Sequence, residues 1–392
     1  MRVVLLTMCG AALVACSEAK SPTDPLTRKS APSLPTDRRP GPAPTTVDVR
    51  PGVLLEDLVT RRFSAVTLPA DGFSLSADAV HPDIACPSAW NGSRCWLIYT
   101  PYKNSDPSYE NPAFLMAGND TTWTTPADVR NPIVPYPGAG QYNSDPDHAF
   151  DRESGRLIQV YRVVTGTSNN IMLMSTATAQ QWSQPVLAFS EPKHDAVSPS
   201  LIIEPDRVGK MWYVRTGPAG CQASASSVQL RTAHLTAAQY FENAQWSAPT
   251  PVAMSIPDYV IWHLDVTELP HGGYLALIAA FPVGTSCANS DVWLATSANG
   301  IAWRNFAIPI LWRGMRIATE RSMSTWYRGT LRYDAETDTL HIWPSALSGR
   351  NWSVYHLALP LRETLALLAM TRPGDMRSLK KVPPKPSTMV MP

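Results

Sequence analysis

The chain has 392 residues, a net charge of +1 at neutral pH and 44% apolar residues. That balance excludes the basic footprint a nucleic-acid binder needs, while the length supports a large core, as one large all-β domain or two ordinary ones. Thirteen Trp and 37 Pro beside only 17% charged residues point to a turn-rich β protein with much aromatic surface.

Arg2 and the apolar run from Val3 to Val14 form an export signal. The four residues Leu13-Val14-Ala15-Cys16 that end it resemble a bacterial lipobox. The resemblance implies removal of residues 1–15, lipid on Cys16 and a protein of the bacterial cell envelope held to the membrane through that lipid alone. Ser17 in the next position resembles lipoproteins sorted to the outer membrane; the alternative is an ordinary secretory signal with a chance Cys. Residues 16–55 are rich in Pro with Ser, Thr, Asp and Arg between and show no apolar period, so they read as a disordered tether. Residues 371–392, again Pro- and Lys-rich, read as a disordered tail, which leaves 56–370 for the folded domain.

Within that domain a unit of strand, strand, polar loop, strand and turn recurs five times at roughly 50 to 65 residues, the size of a four-stranded propeller blade. Residues 81–112 show it in full: His81-Pro82-Asp83 opens the first strand, Trp90-Asn91-Gly92-Ser93 turns, Trp96 to Tyr99 is the second strand, and a loop ending Glu110-Asn111-Pro112 leads into the third. The second strands of the later units start at Arg156, Lys210, Tyr274 and Leu340, and Trp123, Trp182, Trp246 and Trp303 follow the third strands of the first four. Ser297 to Trp303 reads as an Asn-Gly hairpin of type I′, and as a degenerate Asp-box of the kind that resembles sialidase blades. The fifth unit lacks a fourth strand and Phe63 to Leu68 is a strand-like run left over, so the expectation is an all-β, five-bladed β-propeller whose ring an N-terminal strand closes. A two-domain β-sandwich is the competing architecture.

In such a ring the start of each first strand and the loop between strands two and three share one face. His81 and Asp83, Asp145 and Asp147, Ser198-Pro199-Ser200, His263 and Asp265, and Arg328 would then converge near the axis and line one pocket suited to a sugar. Cys86 and Cys95 flank the first turn of blade one, and Cys221 and Cys287 lie in the same loop of blades three and four. In an oxidising compartment the expected pairs are therefore 86 with 95 and 221 with 287.

These features resemble the five-bladed propeller glycoside hydrolases of families 43 and 32, and the likeness spans nearly the whole folded region. It implies that Asp83 is the base or nucleophile and that Asp147, or Asp145, orients substrate or tunes the acid. Where those families place a general-acid Glu in blade three, this chain has Ser198-Pro199-Ser200. Glu110 is then the candidate proton donor, raised in pKa by burial near Tyr102, Tyr109 and Trp262, with Asp195 and Glu204 as alternatives. His81, Tyr102, Asp145, His263, Asp265 and Arg328 are candidate substrate-binding residues. No HExxH, CxxC or Gly-rich phosphate loop occurs, so no metal or other cofactor is assigned, although acids near the axis leave a structural cation open. The reading is a surface-anchored, monomeric glycoside hydrolase acting on an oligo- or polysaccharide; the alternatives are a sialidase, or a non-catalytic lipoprotein that binds glycan or protein.

Overall fold

The computed structural model describes residues 50–69, 78–235, 243–315, 317 and 322–375. The export signal, Cys16, most of the expected tether and most of the expected tail lie outside the described residues. The described residues open with helix α1 (Pro51–Thr60) and strand β1 (Phe63–Ala65) and then run through four complete blades. Blade one is β2 (Ala79–Ala85), β3 (Trp96–Pro101), β4 (Ala113–Ala117) and β5 (Trp123–Thr124). Blade two is β6 (Tyr142–Asp151), β7 (Arg156–Val164), β8 (Ser168–Thr176) and β9 (Val186–Pro192). Blade three is β10 (Val197–Ile203), β11 (Val208–Arg215), β12 (Ser227–His234) and β13 (Thr250–Val252), and blade four is β14 (Tyr259–Glu268), β15 (Tyr274–Pro282), β16 (Asp291–Ser297) and β17 (Trp303–Asn305). Blade five takes β18 (Thr325–Asp334), β19 (Thr339–Ser348) and β20 (Asn351–Pro360), and its outer strand is β1, which pairs antiparallel with β20 through Phe63 and Leu357. The N-terminal strand therefore closes the ring, as the repeat count requires.

Two helices were not legible in the repeat. The α1 helix overlaps the end of the expected tether, and α2 (Leu361–Met370) follows the last strand. Pro51 suits a first helical turn, where its missing N–H is no loss. Leu55 and Val59 then pack with Leu361, Leu367 and Leu368 into the apolar cluster behind blade five, so the segment has a face to bury that its Pro-rich composition conceals. The Ser297–Trp303 hairpin also departs from type I′, which needs positive φ at both central residues. Gly300 has φ 74° and Asn299 does not have a positive φ. Asn299 instead accepts the Ile301 and Ala302 N–H groups on its side-chain oxygen, and Ser297 Oγ accepts that of Gly300. The disulfides are Cys86–Cys95 and Cys221–Cys287, as expected.

The blades are joined at the axis by one repeated device. Asp83 accepts the His148 N–H of blade two at 2.6 Å, Asp147 that of Leu201 in blade three at 2.8 Å, Ser200 that of Val266 in blade four at 3.0 Å, and Asp265 that of Leu331 in blade five at 3.0 Å. The Thr330 side chain of blade five bonds back to Asp83. Farther out, the Trp212 indole donates to Gly300 O of blade four and the Trp343 indole to Asp120 O of blade one. Ser200→Ala orphans the buried Val266 amide, so urea denaturation of this variant is expected to show a loss of about 1–3 kcal/mol. Ser190→Ala, which removes an exposed side-chain pair, should stay within about 0.5 kcal/mol of wild type.

Candidate functional site

Each innermost strand carries a register break near its start, between Val80 and Asp83, Ser144 and Asp147, Val197 and Ser200, Ile261 and His263, and Trp326 and Gly329. In the first three blades the residue at the break has positive φ: His81 at 53°, Asp145 at 48° and Ser198 at 52°. The breaks divide the axis into two tiers. His81, Asp145, Ser198, His263 and Arg328 form the upper one; Asp83, Asp147, Ser200, Asp265 and Thr330, two residues on, form the lower one that clasps the blades.

Above the upper tier lies a cavity of about 350 Å³ whose lining includes His81, Tyr102, Glu110, Tyr142, Arg162, Trp262, His263 and Tyr327. Its rim is braced by the Cys221–Cys287 disulfide between blades three and four. At its floor the two imidazoles face a single carboxylate. Asp145 Oδ1 is 3.6 Å from His81 Nε2 and 3.8 Å from His263 Nδ1, while Asp145 Oδ2 is 3.0 Å from Arg162 Nε. Glu110 Oε2 lies 3.9 Å from His81 Nδ1. The Trp262 indole donates to Tyr327 Oη at 2.8 Å, which leaves the phenol proton free to point elsewhere.

The protonation states follow from burial. His81 is pushed down to about 3 and His263 well below its ordinary value, in both cases chiefly by desolvation, so both rings are neutral. Burial alone would raise Asp145, but Arg162 and the other cationic groups around it outweigh that and hold it ionised. Burial lifts Glu110 to about 8, with Ser144 opposing and Asp145 adding to the rise. Thr100 Oγ1 donates to Val80 O and so accepts from His81 Nδ1 at 3.0 Å, leaving a bare lone pair on Nε2 aimed at Asp145. His81 Nε2, both His263 nitrogens and Glu110 Oε2 are buried without hydrogen-bond partners. A lone pair facing a carboxylate oxygen is repulsive unless a cation stands between them. Two neutral imidazoles and one ionised carboxylate, with the cavity open above them, are the donor set of a borderline divalent ion such as Zn²⁺, Mn²⁺ or Fe²⁺.

The structure thus brings together His81, Tyr102, Glu110, Asp145 and His263, but it does not bring Asp83, Asp147 or Asp265 to them. Those three line a separate cavity of about 580 Å³ that shares no lining residue with the first. The expectation that Asp83 faces Glu110 across one pocket is therefore not met: Asp83 lies one tier down, its carboxylate engaged by the next blade. Within that tier the three acids come within 4.8 Å of one another, and burial followed by Asp265 lifts Asp83 to about 7. This is the convergence an axial cation would need, although Arg328 already stands beside Asp147 at 3.5 Å. Arg328, from its upper-tier position, sends its buried guanidinium to Asp147 and donates to Pro146 O and Pro199 O, and it lines neither cavity. Arg162, Tyr142 and Tyr327 are not among the site residues expected from the sequence; Tyr142 and Arg162 sit where the first and the second strand of blade two meet the pocket face.

No family model matches the chain. It is 23% identical over 326 residues to the A type blood N-acetyl-α-D-galactosamine deacetylase of Flavonifractor plautii, a match covering 71% of this chain and 41% of that protein. The chain thus spans well under half the length of the curated relative it matches. Among solved structures, an N-acetylgalactosamine deacetylase from F. plautii in complex with blood group B trisaccharide superposes with a TM-score of 0.68 at 20% identity, covering 78% of this chain and 97% of that one. A thermostable family-43 glycoside hydrolase superposes with a TM-score of 0.53 at 13% identity, covering 74% and 91%. At these identities the structural likeness establishes the shared five-bladed fold.

Proposed function

We propose that this chain is a carbohydrate-active hydrolase whose axial pocket removes an acyl group from a sugar, as an N-acetyl-sugar deacetylase does. The observation that carries the reading is the convergence of His81, His263 and Asp145 beneath Glu110, four buried groups from three blades, of which His81, His263 and Glu110 keep unpaired atoms. The similarity to the F. plautii deacetylase supports it. Glycoside cleavage needs two carboxylates flanking the scissile bond. Here Asp83 and Asp147 line the other cavity and Asp145 is tied to Arg162.

His81, His263 and Asp145 would hold the ion. A divalent ion supplies polarisation of an acyl carbonyl and a bound water of lowered pKa. The chain's own residues do the rest. Glu110, unpaired at Oε2, takes a proton from the attacking water and returns it to the departing amine nitrogen, the two-way role that a carboxyl lifted to about 8 suits at mildly alkaline pH. Tyr327, fixed by Trp262, donates its phenol proton to the oxygen on which negative charge develops. Arg162 keeps Asp145 ionised, and Tyr102, Tyr142 and Trp262 offer ring faces to the sugar. The family-43 fold keeps a glycoside hydrolase as the second reading, and the products separate the two.

With N-acetylgalactosamine-terminated oligosaccharides as probes, free acetate should appear without new reducing ends. His263→Gln should abolish acetate release, and Glu110→Gln should lower kcat by about a hundredfold or more. New reducing ends that persist in His263→Gln would replace this reading by the glycosidase one. The lipid anchor on Cys16 belongs to the same proposal, placing the pocket on the cell envelope at the end of a Pro-rich tether. Wild-type protein is expected in the membrane fraction and Cys16→Ala in the soluble one; equal membrane partition of both would remove the anchor.

A further inference from the structure

A second set of metal-type donors lies outside the axial pocket, on the flank where the ring closes. His341 on β19 and His356 on β20 belong to blade five, and their rings stack with Trp343 in one group, His341 on Trp343 at 5.6 Å and Trp343 on His356 at 4.9 Å between centroids. The stack sets His341 Nδ1 3.0 Å from His356 Nε2. Asp120 comes from the opposite side of the seam, at the tip of the β4–β5 hairpin of blade one. Its backbone carbonyl accepts the Trp343 indole N–H at 2.9 Å, and its carboxylate Oδ2 stands 3.8 Å from His341 Nδ1. One donor atom from each of the three residues lies within 4.8 Å of the others.

We propose that Asp120, His341 and His356 form a divalent transition-metal site that clasps blade one to blade five. Two imidazole nitrogens with one carboxylate oxygen select a borderline ion such as Zn²⁺ or Co²⁺ over Ca²⁺ or Mg²⁺, which take oxygen donors. The Asp120 side chain is 32% exposed and that of His341 10%, so an ion can enter from solvent and keep water in its remaining positions. Arg332 lies nearby and approaches Asp334 at 4.0 Å, a carboxylate that Arg94 also reaches at 3.6 Å. Because the Trp343 latch uses the carbonyl of Asp120 and not its carboxylate, the hairpin is already in place before an ion arrives.

The test uses the chelator-stripped full chain titrated with Zn²⁺ by calorimetry, and with Co²⁺ by its visible absorption. His341→Gln should bind one equivalent of Zn²⁺ fewer than wild type. Asp120→Asn, which preserves the carbonyl latch and so the fold, should weaken that equivalent by about tenfold or more. In a His263→Gln background the seam is read alone: Zn²⁺ should raise the melting temperature, and the rise should vanish when His341→Gln is added. Equal stoichiometry and equal affinity in wild type, His341→Gln and Asp120→Asn would overturn the site. Equal stoichiometry in wild type and His263→Gln would count against the axial centre and leave the seam standing.

Discussion

The structure depends on the hydrogen bond by which a side chain near the axis takes the backbone N–H of the next blade. Neighbouring propeller sheets do not continue one another's ladders, so without such bonds the inner strands would rest mainly on apolar packing, which has no preferred register. Asp83, Asp147, Ser200 and Asp265 each fix one inner strand against the next, and Thr330 returns the chain of bonds to Asp83. Every acceptor is buried, so water cannot replace the bond. Burial raises the pKa of all three axial acids, with Asp265 adding to the rise of Asp83, and Asp83 and Asp265 to that of Asp147, and Arg328, held by two carbonyls from blades two and three, supplies the compensating charge.

That lower tier is what permits the upper one. A non-glycine residue with positive φ costs about 1–3 kcal/mol and persists only where its surroundings overdetermine it. His81, Asp145 and Ser198 hold that conformation at the same place in three blades, immediately above the clasps. Part of the offset is local: Ser198 donates its N–H to Asp145 Oδ2 and its hydroxyl to Leu264 O. The twist re-aims His81 and Asp145 toward the pocket floor, and His263 joins them from the register break of blade four without a positive φ.

The repeat was legible because alternation and turn residues are local signals, and five copies of a weak signal reinforce one another. Ring closure followed from counting, since one strand was missing at one end and one was left over at the other. The two disulfides followed from loop positions that the repeat assigns. The site was legible only in part. His81 and Asp83 are two apart on a strand, and period-two reasoning puts such residues on one face and so in one pocket. The register break at His81 separates them instead: one reaches the cavity and the other grips blade two. A break of this kind leaves no mark in the sequence beyond Pro at position 82, which lacks the N–H that a regular ladder would use. The repeat did place His81, Asp145 and His263 at one axial pocket, but their character as a cation-binding set was hidden for another reason. Its members come from blades one, two and four, so no spacing within a helix or a single strand could have announced it. Helix α1 was hidden by the Pro-rich run before it, because composition averages away a short apolar face.

Ser198 bears on the chemistry as well as the fold. A glycosidase of the resembled families would present a carboxylic acid from blade three, and the Oγ of this serine is instead spent twice on Leu264, accepting its N–H and donating to its carbonyl. Blade three therefore contributes structure at the upper tier and no proton donor. The remaining acid at that level, Asp145, is held ionised by Arg162 and faces two unprotonated rings, which suits it to holding a cation and poorly to protonating a leaving group. Proton transfer then falls to Glu110, which comes from a loop and not from an inner strand, and which alone among the pocket acids combines a raised pKa with an unpaired oxygen. On the proposed reading, one working carboxylate beside one cation-binding set serves the hydrolysis of an acyl group, whereas glycoside cleavage would ask this scaffold for a second acid that blade three has given up.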